Sequence, residues 1–187
     1  AILDLVGHRL AVVVDPAEIP TAAQIERSDV MLYEFKSALN AYLAGLPPGA
    51  PVRSLADIIA FNRAHSRRCL RYGQTVLVRA ERLTSGSLLE PEYIEARTRD
   101  LRLCRTHGLD AVIETHRLDA VLFPGAKGCA IAARAGYPSV TIPAGFWESP
   151  RGRAPYGVTL TGPAWSEPTL IRLAYGLEQA TLRREPP

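Results

Sequence analysis

The sequence predicts an α/β protein: a mixed sheet flanked by helices, built as a single domain over residues 1–187. Three observations carry this. Short β-branched or apolar runs, "AVVVD", "DAVLFPG", "SVTIPAG" and "GVTLTG", are bounded by glycine, proline or aspartate, as strands are. Between them, apolar residues recur at helical spacing, most clearly at Leu170, Leu173, Ala174, Leu177 and Ala180. The two kinds of segment alternate at irregular intervals, which argues against a neat βαβ series.

Element by element, "GHRLAVVVDP" reads as a strand centred on residues 11–14 and closed by Pro16. Residues 21–44 read as a helix with Val30, Tyr33 or Glu34, Ala38, Ala41 and Leu43 turned inward, and "GLPPGAPVR" as a rigid turn. Ser54 caps a helix on "LADIIAFNRAHSRRC", with Asp57 three residues on and Leu55, Ile58, Ile59 and Asn62 on one face. "QTVLVRAERLT" predicts a second short helix, and "SGSLLEPEY" a loop. Pro91 opens the next helix, whose N-terminus suits Glu90 and Glu92 and whose inner face holds Ile94, Thr98 and Leu101.

Gly108 predicts a break, with Asp110 capping a short helix to about Thr115. A strand over 119–123 follows, apolar enough to be covered on both faces, and then a short helix on "AKGCAIAARAG". Strands over 139–142 and 156–161 are joined by the polar link "FWESPRGRAP", with Pro143 and Gly145 ending the first of them. Ser166 caps the last helix, and Trp165 is placed to pack on Leu170 as a hydrophobic staple.

Composition sets further bounds. A net charge of +3 across 22 basic and 19 acidic residues gives no reason to expect nucleic-acid binding. No run of eighteen apolar residues predicts a membrane span. Three cysteines, Cys69, Cys104 and Cys129, with no C-x-x-C pair, predict reduced thiols and a cytoplasmic setting. The opening "AILDLV" lacks a basic leader and reads as an apolar helical stub already running, the beginning of a processed, cloned or truncated chain.

Few residues offer chemistry. Ser139 and Thr141 share one face of a strand and lie in no G-x-S-x-G elbow, so they read as structural. Cys129 follows Gly128 at the start of a short helix, with Lys127 two residues before it; a thiol nucleophile also needs a base, and His8, His65, His107 and His116 are all distant in sequence. His65 and Cys69 stand four apart on a helix, which supplies only two metal ligands. Arg63, Arg67, Arg68 and Arg71, and again Arg97, Arg99, Arg102 and Arg105, read as solvated helix faces, the second group with Glu95 pairing Arg99. "GAKGCA" lacks the spacing of a phosphate loop, so Lys127 alone makes no phosphate site. Glu34, among apolar residues in "MLYEFKSALN", reads as structural and has no visible partner.

Several phrases resemble the closing third of the amidase signature family: "HRLDAVLFPG", "AARAGYPSVTIPAGF" and "YGVTLTGPAWSEPTLIRLAYGLEQAT". "VMLYEFKSALNAYLAGLP", "RSLADIIAFNRAH" and "EYIEARTRDLR" are similar to the same region of bacterial members, so the resemblance runs from Val12 to about Thr181. That family hydrolyses amides with a serine nucleophile, a bridging serine carrying a cis peptide bond, and a lysine. All three lie in the glycine- and serine-rich part that precedes this region, so no residue here inherits a catalytic role. The resemblance implies a structural part of the family's large mixed sheet and part of its substrate-pocket wall, for which Gly125, Lys127 and Cys129 are the candidates. Two departures stand out: only eleven residues separate Pro124 from Gly136, where relatives often carry a longer pocket segment, and Arg134 replaces a small or apolar residue.

The leading expectation is therefore the C-terminal structural and pocket part of an amidase, inactive as an isolated chain, requiring no cofactor or metal and completed by an N-terminal amidase portion to act on a small amide. The second is a non-catalytic interaction module, pairing with a separate N-terminal chain or with itself as a homodimer. A cysteine enzyme built on Cys129 ranks third.

Overall fold

A computed structural model describes residues 11–150 and 152–185. The chain packs as two compact units: Arg27–Arg99 is one, and the described residues before and after it form the other. The expected N-terminal stub, the start of the first strand and His8 lie outside the described residues.

Arg27–Arg99 contains helices α1 (Val30–Ala44), α2 (Leu55–Ala64), α3 (Thr75–Leu83) and α4 (Pro91–Asp100, its last residue in the other unit). The first three meet in a small core of Leu32, Leu55, Ile59 and Ala80, flanked by Phe35, Leu39 and Leu77. The helix expected over 21–44 starts only at Val30, after a separate 3-10 turn at Ala22–Gln24. Val30, Tyr33 and Leu43 are buried as expected, but Ala38 and Ala41 face solvent, and Leu32 and Lys36 are buried in their place. Leu32, Lys36, Leu39 and Leu43 follow steps of four, three and four, so the stripe was helical in period but ran through a lysine. The Lys36 Nζ donates to the carbonyls of Glu81 (3.0 Å) and Thr84 (2.8 Å) and pairs with Glu81 Oε1 at 3.0 Å. It thereby ties α1 to the C-terminal end of α3, where helix carbonyls lack partners.

The α2 cap forms as expected: the Asp57 N–H donates to Ser54 Oγ at 3.1 Å, and Asp57 Oδ2 accepts from the Arg53 N–H at 2.8 Å. The Arg53 amide first, and the Ser54 hydroxyl second, hold the Asp57 carboxyl below its ordinary range. The helix stops at Ala64, and Ser66–Cys69 makes a separate turn. On α4 Tyr93 is half-buried, its ring 5.6 Å from that of Tyr33. Ile94 and Thr98, expected inside, face solvent.

The other unit is built on a three-stranded sheet of β1 (Val121–Pro124), β2 (Ser139–Ser149) and β3 (Gly152–Thr161), in the order β1-β3-β2. Both pairings are antiparallel; Thr161 stands opposite Val121 on one side and Ser139 on the other. Residues 11–14 join no strand, and Val12 is 94% exposed. A β-branched run forms a strand only where a neighbour completes its backbone bonds. The polar link expected between β2 and β3 is instead the outer half of a long hairpin, with Trp147 opposite Ala154 and Glu148 opposite Arg153. Pro143 and Gly145 do not end β2: the register shifts between them, and Gly145 takes a φ of +121° at this bulge. The sheet leaves β2 unpaired along its outer edge among the described residues.

Apolar clusters form around this sheet. Ile142, Val158 and Leu160 pack on Leu170, Ala174 and Leu177 of the last helix, Glu167–Thr181. Val121 packs with Cys104 and Leu109 of a π-helical segment (Leu101–Asp110), Val112 of α5 (Ala111–His116), and Ile131 and Ala135 of α6 (Cys129–Ala135), which makes Glu167–Thr181 helix α7. Gly108 does not break the π segment, nor does Asp110 cap α5. A Cβ at Gly108 would strike the Leu103 carbonyl and crowd Thr21, whose hydroxyl donates to that carbonyl at 2.5 Å. The glycine is there for close approach, not for a stop. The staple on α7 is absent: Trp165 has φ +65° and is 89% exposed, and Ser166 Oγ donates back to the Pro163 carbonyl at 2.7 Å.

Candidate functional site

The pocket candidates Gly125, Lys127 and Cys129 share the turn that leaves β1 and enters α6. Gly125 makes the turn possible with a φ of +57°, in the left-handed region. Its N–H donates to the Gly157 carbonyl at 2.8 Å, and its own carbonyl accepts from Thr159 Oγ1 at 2.7 Å, so the turn is clamped to β3 at both ends of one residue. Gly128 is buried, and a Cβ there would overlap the Phe123 ring. The chain can therefore bend sharply enough to leave Lys127 and Cys129 exposed.

Two further loop amides are committed as well. Lys127 N–H donates to the Pro124 carbonyl at 3.3 Å and Cys129 N–H to that of Ala126 at 3.1 Å. They do not form a free cluster of donors for an oxyanion.

Ser139 and Thr141 lie on the exposed side of β2, with Val140 half-buried and Ile142 buried, as strand alternation requires. Ser139 Oγ lies 2.8 Å from Thr161 Oγ1, and Thr141 Oγ1 lies 2.8 Å from Thr159 Oγ1. Their partners are hydroxyls, not a base. Thr159 and Thr161, fully buried, were not singled out from sequence; the signal was their position opposite Thr141 and Ser139 in a paired strand. Beside this row, a cleft of about 320 Å³ opens at the hairpin bulge, lined by Thr141, Pro143, Phe146, Tyr156 and Arg183.

The remaining sequence candidates are structural. His65 stacks on Phe61 at 4.2 Å, with Nδ1 2.9 Å from the Phe61 carbonyl, and among the described residues no group of three or more His, Cys, Asp or Glu could hold a metal. His107 lies in the π segment and His116 at the end of α5. Glu34 does have a partner: the Tyr93 hydroxyl donates to it at 3.0 Å, with Arg97 at 3.9 Å. The expected pair of Glu95 and Arg99 is not among the ion pairs of the described residues; Arg97 pairs with Glu34 instead, and Arg105 lies over the Tyr137 ring. Arg134 donates to the Glu26 carbonyl at 2.7 Å and lies 3.7 Å from the buried carboxylate of Asp100, which gives this departure a structural use. No described helix is long and apolar enough to cross a membrane.

No protein-family model matches the chain. Over 159 residues, 84% of its length, it is 40% identical to a protein of Arabidopsis thaliana named "Probable amidase", of which it covers 30%. The solved peptide amidase of Stenotrophomonas maltophilia is 43% identical with a TM-score of 0.75, over 84% of this chain and 34% of that one. An amidase family protein from Bacillus anthracis gives a TM-score of 0.83 at 27% identity, over 100% of this chain and 35% of that one. The chain therefore spans about a third of the length of the relatives it matches. Sequence and fold agree on the relationship: the chain is homologous to the amidase signature family, and matches a fraction of its larger members.

Proposed function

We propose that this chain supplies the C-terminal structural part and one wall of the substrate pocket of an amidase, and that it does not cleave amides by itself. The observation that carries the reading is coverage: amidases match most of this chain while the chain matches about a third of them. Hydrolysis of a C–N bond needs an activated nucleophile and donors aimed at the developing oxyanion. The hydroxyls of Ser139 and Thr141 are engaged with other hydroxyls, and the amides of Lys127 and Cys129 with neighbouring carbonyls. In this reading a preceding or separate N-terminal portion brings the nucleophile. Gly125, Lys127 and Cys129 then face a small amide substrate, the turn fixed by its bonds to β3. The assembly works in the cytoplasm with its thiols reduced.

The purified chain should release no product from aryl, fatty or short-chain amides. The same chain joined to, or co-expressed with, its signature-bearing N-terminal portion should do so. Turnover by the homogeneous isolated chain, lost on Cys129→Ala, would replace this reading with the cysteine enzyme. The unpaired edge of β2 also favours a second reading, a non-catalytic module that docks another chain. Stable association with the N-terminal portion without turnover would select it.

A further inference from the structure

Within Arg27–Arg99, two surfaces have complementary chemistry. The first is a groove of about 760 Å³ beside α3. Leu70, Val78 and Leu83 line its apolar part, and Arg63, Arg79 and Arg82 supply its charge. Arg79 is bonded to Asp29 at 2.5 Å, whereas Arg63 and Arg82 have no ion-pair partner among the described residues. The second surface is the outer stripe of α4 with the residues leading into it. Leu89 is 76% and Ile94 52% exposed, and Glu92 and Glu95 are exposed beside them without an ion-pair partner among the described residues. At 100° per residue, Ile94, Thr98, Pro91, Glu95 and Glu92 fall in that order around one side of the helix. The result is a stripe with an apolar margin and an acidic margin, matching a groove with an apolar lining and basic groups.

We propose that the groove receives the α4 stripe of a second copy of this chain. Leu89 and Ile94 enter between Leu70, Val78 and Leu83, and the carboxylates of Glu92 and Glu95 meet Arg63 and Arg82. Arginine suits this role because its planar fork binds a carboxylate through two parallel bonds. Two copies related by a two-fold axis make the contact twice, which closes the assembly as a dimer.

The test is the mass of the full chain by sedimentation equilibrium across a hundredfold range of concentration. Wild type should move from monomer toward dimer, less readily at high salt, where exposed charges are screened. Arg63→Glu/Arg82→Glu and Glu92→Lys/Glu95→Lys should each weaken association by more than about tenfold. An equimolar mixture of the two variants should restore it, because the reversed charges meet again. All four positions are exposed, and restoration also reports that both variants are folded. Monomer mass at every wild-type concentration overturns the proposal. So does association that survives both reversals, which would point to the β2 edge, or two monomeric variants that fail to associate when mixed.

Discussion

Replacing Lys36 with methionine tests how the helices of Arg27–Arg99 are held. The ammonium has three hydrogens and three close acceptors: the Glu81 and Thr84 carbonyls at 3.0 and 2.8 Å and Glu81 Oε1 at 3.0 Å. Methionine keeps most of the apolar stem and removes every one of these bonds. Hydrogen bonds to a charged group are worth about 1.5–3 kcal/mol each, and removing one partner of a buried pair costs about 3–5 kcal/mol. The Lys36 side chain is 11% exposed but that of Glu81 is 30% exposed, so the orphaned carboxylate regains some water. The expected loss is therefore about 2–3 kcal/mol, below the fully buried range. Urea unfolding followed by far-UV circular dichroism reads it as a midpoint lower by about 0.7–3 M, for slopes of about 1–3 kcal/mol per M. A double-mutant cycle with Glu81→Gln isolates the ion pair from the two carbonyl bonds. A loss under about 1 kcal/mol, the range of an exposed pair, would refute the reasoning, because it would mean that water rather than α3 holds the ammonium.

Four other outcomes are expected. The Glu90 carboxyl is held down to about 2, chiefly by the bond from the Thr84 hydroxyl. Its contribution is therefore fully present above an ordinary carboxylate pKa of about 4.5 and is lost as pH falls from there to about 2, so Glu90→Gln should flatten that part of the acid unfolding curve. Gly128→Ala should cost about 1–3 kcal/mol by forcing a methyl against the Phe123 ring, read as a lower melting temperature. Leu170→Ala should cost about 2–5 kcal/mol by opening a cavity under α7, measured by chemical denaturation. A native thiol titration should count the two exposed cysteines, Cys69 and Cys129, and find Cys104 only after unfolding.

The legible parts of this fold are those where local pattern and tertiary role coincide. The α7 stripe, the Ser54 cap and the cores of β1, β2 and β3 each satisfy a short-range rule that the packing then uses. The misread parts have a contact distant in sequence that overrides the local signal. Lys36 is polar by type but inward because acceptors from residues 81 and 84 await it. Gly108 resembles a stop because nothing local reveals that Thr21 and Leu103 crowd it. The polar hairpin arm was hidden because pairing with another polar strand needs no apolar alternation. At the candidate site, the turn through Gly125 was visible in its glycines. The threonines beneath it were not, since a hydroxyl facing inward in a strand looks like one facing out.

The bonds around Gly125 also fix a direction for hydrogens. A carbonyl oxygen can only accept, so Thr159 must give its single hydroxyl hydrogen to Gly125. Thr159 can then meet Thr141 only as an acceptor, and Thr141 must spend its own hydrogen inward. What Thr141 shows to its exposed side is lone pairs alone. Its hydroxyl, nominally able to bond either way, has become a one-way group: an N–H or O–H arriving there is welcomed, and a carbonyl oxygen is turned away. Glycine at a turn two elements distant in sequence thus sets the polarity of a surface it does not itself form.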